Sequence, residues 1–575
     1  MEKQLSIIFE KVFFVSCLPY KLENAWKTLK THQFDSGHIM SKIVVVGVDG
    51  ATLDLMESWM DEGKLPTFAK IRKQGVYGNL RSTTPYYSAP AWVSIVTGCH
   101  PGKHGIYDFF RTDTFSKKIV NSRYRKVQAI WSILTATGNK SIVVNVPGTY
   151  PPEKIKGVMI TGLLTPSPES EFTYPKNVKK DLIKGKLGEY ELEQVAVDDI
   201  PKNLTARYAP EKFTKQVNNT TTSHAKVTMN LMKDYEWDFT MVVFRGTDDA
   251  QHLLWGRKDL ILSCYKKADD YIGEMMEQYP DATFIIVSDH GFGKPRKYFY
   301  VNNALYNAGY LKAVSDPRHS LGTFMAMMFD KMSRLIFHLV PLKKLVRSPI
   351  GRKFILSGGS SSNIDFSHTK AFYHSVCSRG IRINLKEKYK QGIVDKEEYE
   401  KIREELIGFL KNVKDPETGK TIVKNIYRWE EIYGKNAVND PLDIIFDLEE
   451  EYSAQELLQP PEGVKYAFQS KGEPMSILST PGFYDWMGDH RPNGILFMYG
   501  KNVKSNRRID ASVVDIVPTI LSAMDVPIPN NIDGKIIEDA FIKKPKIKEI
   551  DSYEKKNGHL TEAELDKIKK LKFKI

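Results

Sequence analysis

Cysteine is scarce in this chain. Four occur among 575 residues, at Cys17, Cys99, Cys264 and Cys377, and none forms a Cys-x-x-Cys pair. That spacing argues against a thiolate zinc site and suits buried free thiols in a reducing cytosol. A cytoplasmic location is therefore expected. Long apolar runs are missing too. No stretch approaches the roughly 20 apolar residues of a membrane span. The apolar clusters Ile7-Ile8-Phe9 and Val12-Phe13-Phe14-Val15 are split by Glu10 and Lys11, unlike a signal peptide. No repeat at solenoid periods is visible, and no specific nucleic-acid motif is present. Oligomeric state is not legible.

The chain does have enough apolar residue for a core. At 41% hydrophobic and 27% charged it is not disordered in bulk, and its length allows one large domain or two to three modest ones. A net charge of +13, from 83 Lys+Arg against 70 Asp+Glu, favours anionic partners such as phosphorylated substrates or acidic lipid surfaces. The excess is spread widely, as on an ordinary solvated basic surface.

From Lys42 onward strand and helix patterns alternate. Strands are expected over 42–48, 141–146, 157–161, 239–244, 283–288, 443–446 and 495–499, and helices around 64–74, 90–97, 125–137 and 221–233. Short, continuously apolar runs suit central parallel strands covered on both faces. The fold class read from this is α/β, a doubly wound, mostly parallel sheet. The expected catalytic core is 41–312 and 430–540. Residues 1–40 fit the pattern poorly and read as an N-terminal extension, or as sequence ahead of a true start at Met40. Residues 313–429 read as an inserted helical cap or subdomain. Within it, 321–356 is a candidate membrane-surface segment, 358–363 a flexible loop and 395–412 a charged amphipathic helix. Residues 541–575 form a basic tail, with a short helix over 562–572 behind the capping-box pair Thr561 and Glu564.

Four short segments stand out: Val-Gly-Val-Asp49-Gly, Asp248-Asp-Ala-Gln-His252, Ser-Asp289-His290-Gly and Gly-Asp-His490-Arg. Asp49, Asp248 and Asp289 fall just past expected strand ends, where α/β sheets bind ligands. A histidine alone is more often structural, and an Asp-Gly pair more often a turn. From these segments Asp49, Asp248, Asp289, His252, His290 and His490 make three Asp and three His, enough donors for two divalent metal ions. Oxygen and imidazole donors without thiolates suit catalytic zinc, or manganese. If the loop after 239–244 turns helically, Asp248 and His252 point the same way and suit one ion.

A nucleophile is then needed. Ser88 precedes Ala89-Pro90 at the start of a helical pattern, where backbone N–H groups favour anions. Metal coordination would stabilise its alkoxide. Thr83, Thr84 and Ser94 are rivals, and Ser88 reads equally well as an N-cap.

The order Asp49, Ser88-Ala-Pro, Asp248-x-x-x-His252, Ser-Asp289-His290-Gly and Gly-x-His490 resembles the alkaline phosphatase superfamily. Within it, the type I phosphodiesterase/nucleotide pyrophosphatase-like proteins of the prokaryotic phosphohydrolase/phosphomutase branch are most similar. Thr97-Gly98, Pro101-Gly-Lys-His-Gly105, Val514-Asp-Ile-Val-Pro-Thr519 and Asp533-Gly534 add to the resemblance, which covers about 42–540. It implies a sheet of alkaline phosphatase type. It also implies Ser88 as metal-bound nucleophile, Asp49, Asp289 and His290 with Ser88 as the ligands of one ion, and Asp248, His252 and His490 as those of the other. The implied cofactors are two divalent ions, zinc or manganese. The implied reaction is phosphoryl transfer through a phosphoseryl intermediate, from a phosphorylated small-molecule or nucleotide substrate.

Two departures narrow this. Sulfatases of the superfamily carry x-Pro-x-Arg after the nucleophile, whereas here Trp92 stands in the place of Arg. The Arg that binds phosphate in monoesterases has no clear counterpart. Lys103 and His104 are candidates to contact substrate, but read better as residues that support the site from behind or serve the fold alone. Phosphodiesters or nucleotide pyrophosphate-type bonds are therefore expected. A phosphomutase or phosphotransferase would use the same site, and a non-catalytic binding protein would have lost a ligand or the hydroxyl. Substrate choice is expected to lie within 291–480.

Overall fold

The computed structural model describes residues 42–113, 118–193, 205–206, 209–314, 364–456, 458, 468–470, 488–544 and 547–551. The segments 1–40, 321–356, 358–363 and 562–572, for which expectations are given above, lie outside the described residues.

Branched apolar runs build the central sheet. β1 (Ile43–Val48), with sequence IVVVGV, is buried at every position. It is followed by β2 (Val76–Arg81), β3 (Ser141–Val146), β4 (Gly157–Thr161), β5 (Thr173–Tyr174), β6 (Phe239–Phe244) and β7 (Thr283–Val287). Then come β8 (Gly291–Gly293), β9 (Lys297–Tyr300), β10 (Ala371–Tyr373), β11 (Gly380–Ile383), β12 (Val423–Arg428) and β13 (Ile444–Leu448). The last needed here are β14 (Tyr452–Gln455), β15 (Phe468–Ser470), β16 (Asp489–Arg491) and β17 (Asn493–Tyr499).

β7, β1, β6, β3 and β4 lie side by side in that order and pair in parallel within a ten-stranded sheet. Alternation along β1 divides two cores. Val44, Val46 and Val48 pack with Met56, Phe213, Leu231 and Ile272, from helices Leu53–Asp61, Pro210–Asp234 and Lys258–Gln278. Ile43 and Val45 face the other way, toward Trp92, Trp131 and Ile520, from helices Ser88–Thr97, Ile130–Ala136 and Ile516–Ala523. Each fully buried Val or Ile stabilises this arrangement by about 1.5–3 kcal/mol relative to exposure. The expected α/β class with a mostly parallel centre is what the chain adopts.

Gly47 interrupts the branched run for a steric reason. A Cβ there would collide with Trp92 Cη2 and stand 2.9 Å from Val243 Cγ2. Gly47→Ala is expected to destabilise the fold by about 1–3 kcal/mol through overpacking, read as a lower midpoint in denaturant unfolding.

Two runs expected in the parallel set behave differently. Residues 495–499 lie in β17, which runs antiparallel to both β7 and β2. Residues 443–446 overlap β13, which belongs to a separate antiparallel sheet of order β10-β11-β13-β12. The physical reason is that an unbroken apolar run reports burial on both faces and carries no information about strand direction. Where a helical cap is expected, this second sheet forms, with helix Tyr399–Lys411 laying Ile402, Leu406 and Leu410 into its core. Among the described residues no helix is long and apolar enough to cross a membrane.

Candidate active site

The carboxyl ends of β7, β1 and β6 lie next to each other, so the residues that follow them share one rim. Asp49 follows β1 directly and its N–H donates to Phe244 O at the end of β6. Gly50 turns the chain at φ +66, a conformation open to glycine, and its N–H donates to Asp289 Oδ1 at 3.1 Å. Asp289 and His290 follow β7. After β6, helix Gly246–Leu254 carries Asp248 and His252, one turn apart and on one face as the spacing predicts. Thr247 Oγ1 donates to Asp49 O, and Gln251 Nε2 to Gly50 O, which ties this helix to the β1 turn.

The direction of β17 brings in the last histidine. His490, in β16, precedes β17, and only an antiparallel β17 places its amino end beside the carboxyl end of β7. Ser288 Oγ fastens the two: it donates to Ala51 O and accepts from Ile495 N–H at 2.8 Å. β2 runs parallel to β7, so its end at Arg81 reaches the same rim and leads through Tyr86-Tyr87 to Ser88.

All seven expected residues converge. Ser88 Oγ is 3.2 Å from His290 Nε2. His290 Nε2 is 3.2 Å from Asp289 Oδ2 and 3.8 Å from Asp49 Oδ1. His252 Nε2 lies 2.9 Å from His490 Nε2. Asp248 Oδ1 is 3.4 Å from the first of these and 3.6 Å from the second. The His290 and His490 rings stack at 3.6 Å between centroids, so His290 stands at the boundary between the two donor groups. His290 Nδ1 lies 3.1 Å from Gly291 O. A carbonyl only accepts, which puts the proton on Nδ1 and leaves the Nε2 lone pair facing the site. Thr83 and Ser94 are engaged elsewhere, Thr83 with Pro85 O and Ser94 with His104.

Each carboxylate has one oxygen tethered and one turned inward. Asp49 Oδ2 accepts from Trp92 Nε1 at 3.1 Å and pairs with Arg245 at 3.3 Å. Asp248 Oδ2 accepts from Arg245 Nη2 at 3.0 Å, and Asp289 Oδ1 from Gly50 as above. Their other oxygens, Asp49 Oδ1, Asp248 Oδ1 and Asp289 Oδ2, are buried, accept no well-formed hydrogen bond among the described residues and face the imidazole nitrogens of the site. Such atoms are costly unless they are ionically compensated. Burial, then the charges of Asp289 and Asp248, push Asp49 well above the ordinary carboxylate range. Burial, then Asp248, pushes Asp289 up to about 7. For Asp248 burial acts upward too, but His252, His490 and Arg245 outweigh it and hold it well below. Burial and the neighbouring His290 depress His490 to about 3, which keeps a neutral, ligand-ready imidazole. Donor atoms of Asp49, Asp289 and His290 all lie within 4.8 Å of one another, as do those of Asp248, His290 and His490. Burial acts downward on His252, but Asp248 outweighs it and raises this imidazole above its ordinary range. Inward oxygens and the neutral imidazoles of His290 and His490 fit divalent cations.

Arg245 and Trp92, which fix two of these carboxylates, were not among the expected site residues; Trp92 stands out in the sequence only as a departure from the sulfatase motif, and Arg245 belongs to no recognisable motif. Phe292 and Tyr87 frame the histidines, at 4.6 Å from His252 and 4.4 Å from His490 respectively. Lys103 and His104 stand apart. Lys103 pairs with Asp533 and donates to Asn531 O, and buried His104 is bonded to Ser94 Oγ and to Ile106 N–H.

Human ectonucleotide pyrophosphatase/phosphodiesterase family member 1 is 21% identical to this chain over 408 residues, covering 61% of this chain and 39% of that protein. The mouse protein of the same description is 23% identical over 386 residues, 57% and 37% respectively. The chain thus spans less than half the length of these curated relatives. Among solved structures, human ectonucleotide pyrophosphatase/phosphodiesterase 5 aligns over 87% of this chain and 100% of its own, at 13% identity and a TM-score of 0.47. With residues 43–456, well over half of its length, matching the family described as type I phosphodiesterase/nucleotide pyrophosphatase, the chain belongs to that family.

Proposed function

We propose that this chain is a metal-dependent hydrolase of phosphate esters, acting on phosphodiesters or nucleotide pyrophosphate-type bonds. Ser88 is the nucleophile. Asp49, Asp289 and His290, with Ser88, hold one divalent ion, and Asp248, His252 and His490 hold the other. Zinc fits the donor set, with manganese as the alternative. The observation that carries this reading is the buried oxygen that each of three carboxylates turns toward the site histidines, beside one serine hydroxyl.

When bound, the ions supply Lewis-acid stabilisation of charge on the serine and phosphoryl oxygens. The rest falls to side chains. Ser88 Oγ attacks phosphorus, the bond to the leaving oxygen breaks, and a phosphoseryl ester forms. Water then attacks that ester, releasing phosphate or a monoester and restoring the hydroxyl. Ser88 stands at the first turn of a ten-residue helix, whose N-terminal amides favour the phosphoryl group. Trp92 and Arg245 hold Asp49 and Asp248 in place without occupying the oxygens that face the site. Arg245 also offsets the repulsion between these two carboxylates.

The test is a screen of monoesters, diesters, phosphonate esters and dinucleotide pyrophosphates on metal-reconstituted protein. Chelation with EDTA is expected to cut turnover by at least about 100-fold, with recovery on adding zinc or manganese. Turnover indifferent to chelation removes the metal assignment. Phosphate delivered to an added alcohol in preference to water turns the reading to phosphotransfer.

A further inference from the structure

The second sheet reaches the candidate site through the hairpin between β10 and β11. At the hairpin tip Ser375 Oγ donates to Asp108, while Val376 and Cys377 pack against Tyr87, Tyr298 and Tyr300. Arg379 closes the turn at φ +44. That region disfavours any residue with a Cβ and suits glycine, so a long side chain there calls for a reason.

The guanidinium supplies one. Arg379 is 2% exposed. Its Nη1 donates to Tyr86 Oη, and its Nη2 to Asp489 Oδ2 at 3.4 Å. It also lies over the Tyr86 ring at 4.1 Å and that of Tyr87 at 5.5 Å. Tyr86 and Tyr87 lead directly into Ser88, and Asp489 leads directly into His490. The Tyr87 ring meets the His490 ring at 4.4 Å. One planar fork thus grips the segment carrying the nucleophile and the segment carrying a ligand from the far end of the chain. A flexible ammonium could not span both in fixed geometry.

We propose that Arg379 is a positioning residue, set by the inserted hairpin, that fixes Ser88 relative to His490 and so sets the rate of attack on phosphorus. The inference rests on the reading of Ser88 as nucleophile. It makes the second sheet part of the catalytic apparatus, with the hairpin tip as the point of coupling.

The test compares wild type, R379M, R379K and Y86F as full chains. An aryl phosphodiester is the substrate, with metal content and melting measured alongside. R379M is expected to lose about 100-fold in kcat, the effect of an ångström-scale misplacement, with KM within about twofold and both ions retained. R379K keeps the charge without the fork and recovers only part of that loss. Y86F keeps the pairing with Asp489 and the ring contacts, deletes the hydrogen bond on the nucleophile side, and is expected to lose about tenfold in kcat at unchanged KM. If R379M is recovered unfolded, Y86F decides alone. Wild-type kcat in whichever folded variant decides overturns the inference. A rise in KM at unchanged kcat also overturns it, because Arg379 would then be a substrate ligand. A wild-type chain that fails to turn over any phosphodiester sinks the underlying reading as well. An active wild type with an unimpaired R379M sinks the positioning role alone.

Discussion

Ser88→Ala is expected to reduce diester turnover by roughly 10³- to 10⁶-fold, the range seen when an activated nucleophile is removed, while both metal ions and the unfolding midpoint stay at wild-type values. The two halves of this expectation have separate grounds. Activity depends on the hydroxyl because Ser88 Oγ meets His290, whereas the rivals Thr83 and Ser94 are engaged elsewhere, Thr83 with Pro85 O and Ser94 with His104. Stability does not depend on it. Tyr87 occupies the N-cap position, and no side chain caps helix Ser88–Thr97, so the substitution removes no cap. Metal is retained because Asp49, Asp289 and His290 still offer donors within 4.8 Å of one another. Stopped-flow release of an aryl leaving group, elemental analysis and thermal melting measure the three quantities. Near-normal turnover would make the nucleophile assignment wrong. Loss of metal together with activity would make Ser88 chiefly a ligand.

His490→Ala is expected to lower bound metal from two ions to one per chain and to cut turnover by at least about 100-fold, the upper end of what even outer-shell changes cost a metal site. His490 Nε2 is one corner of a triangle with His252 Nε2 and Asp248 Oδ1 whose sides are 2.9, 3.4 and 3.6 Å. Removing that corner leaves two protein donors, fewer than the three a catalytic ion ordinarily takes from protein. The Asp49, Asp289 and His290 group keeps its donors, so one ion stays. The residue is also an independent check on the architecture, since it lies beyond the segment matched by the family, 43–456. Elemental analysis showing two ions after the substitution would remove His490 from the ligand set.

Most of the site was legible in the sequence because ligand chemistry restricts residue types sharply. Asp49, Asp289 and the Asp248/His252 pair stand just past apolar runs, and such runs are hard to mistake when all six residues are buried, as in β1 and β6. What escaped has physical reasons. The antiparallel course of β17 was hidden because Gly-Ile-Leu-Phe-Met is buried on both faces whichever way it runs. The second sheet was hidden because its strands are short or half-exposed, as in Val423–Arg428, and resemble loop sequence. Arg245, Trp92 and Arg379 act through buried contacts made hundreds of residues away in sequence or across a helix–strand junction. An arginine that will be 2% exposed reads in one dimension like any surface arginine.

The place of β17 in the sheet has a consequence for how the molecule comes into being. It stands between β7 and β2, and the residues just ahead of it complete the histidine triangle. At roughly 5–20 residues per second during synthesis, the Asp49 segment exists for tens of seconds before His490 is made. From its own synthesis until β17 is made, β7 presents an unpaired edge, open to pairing with other chains. A chain that stops short of β17 is therefore expected to be inactive and prone to aggregate, and under the proposed metal assignment the second ion can be held only once His490 has been made.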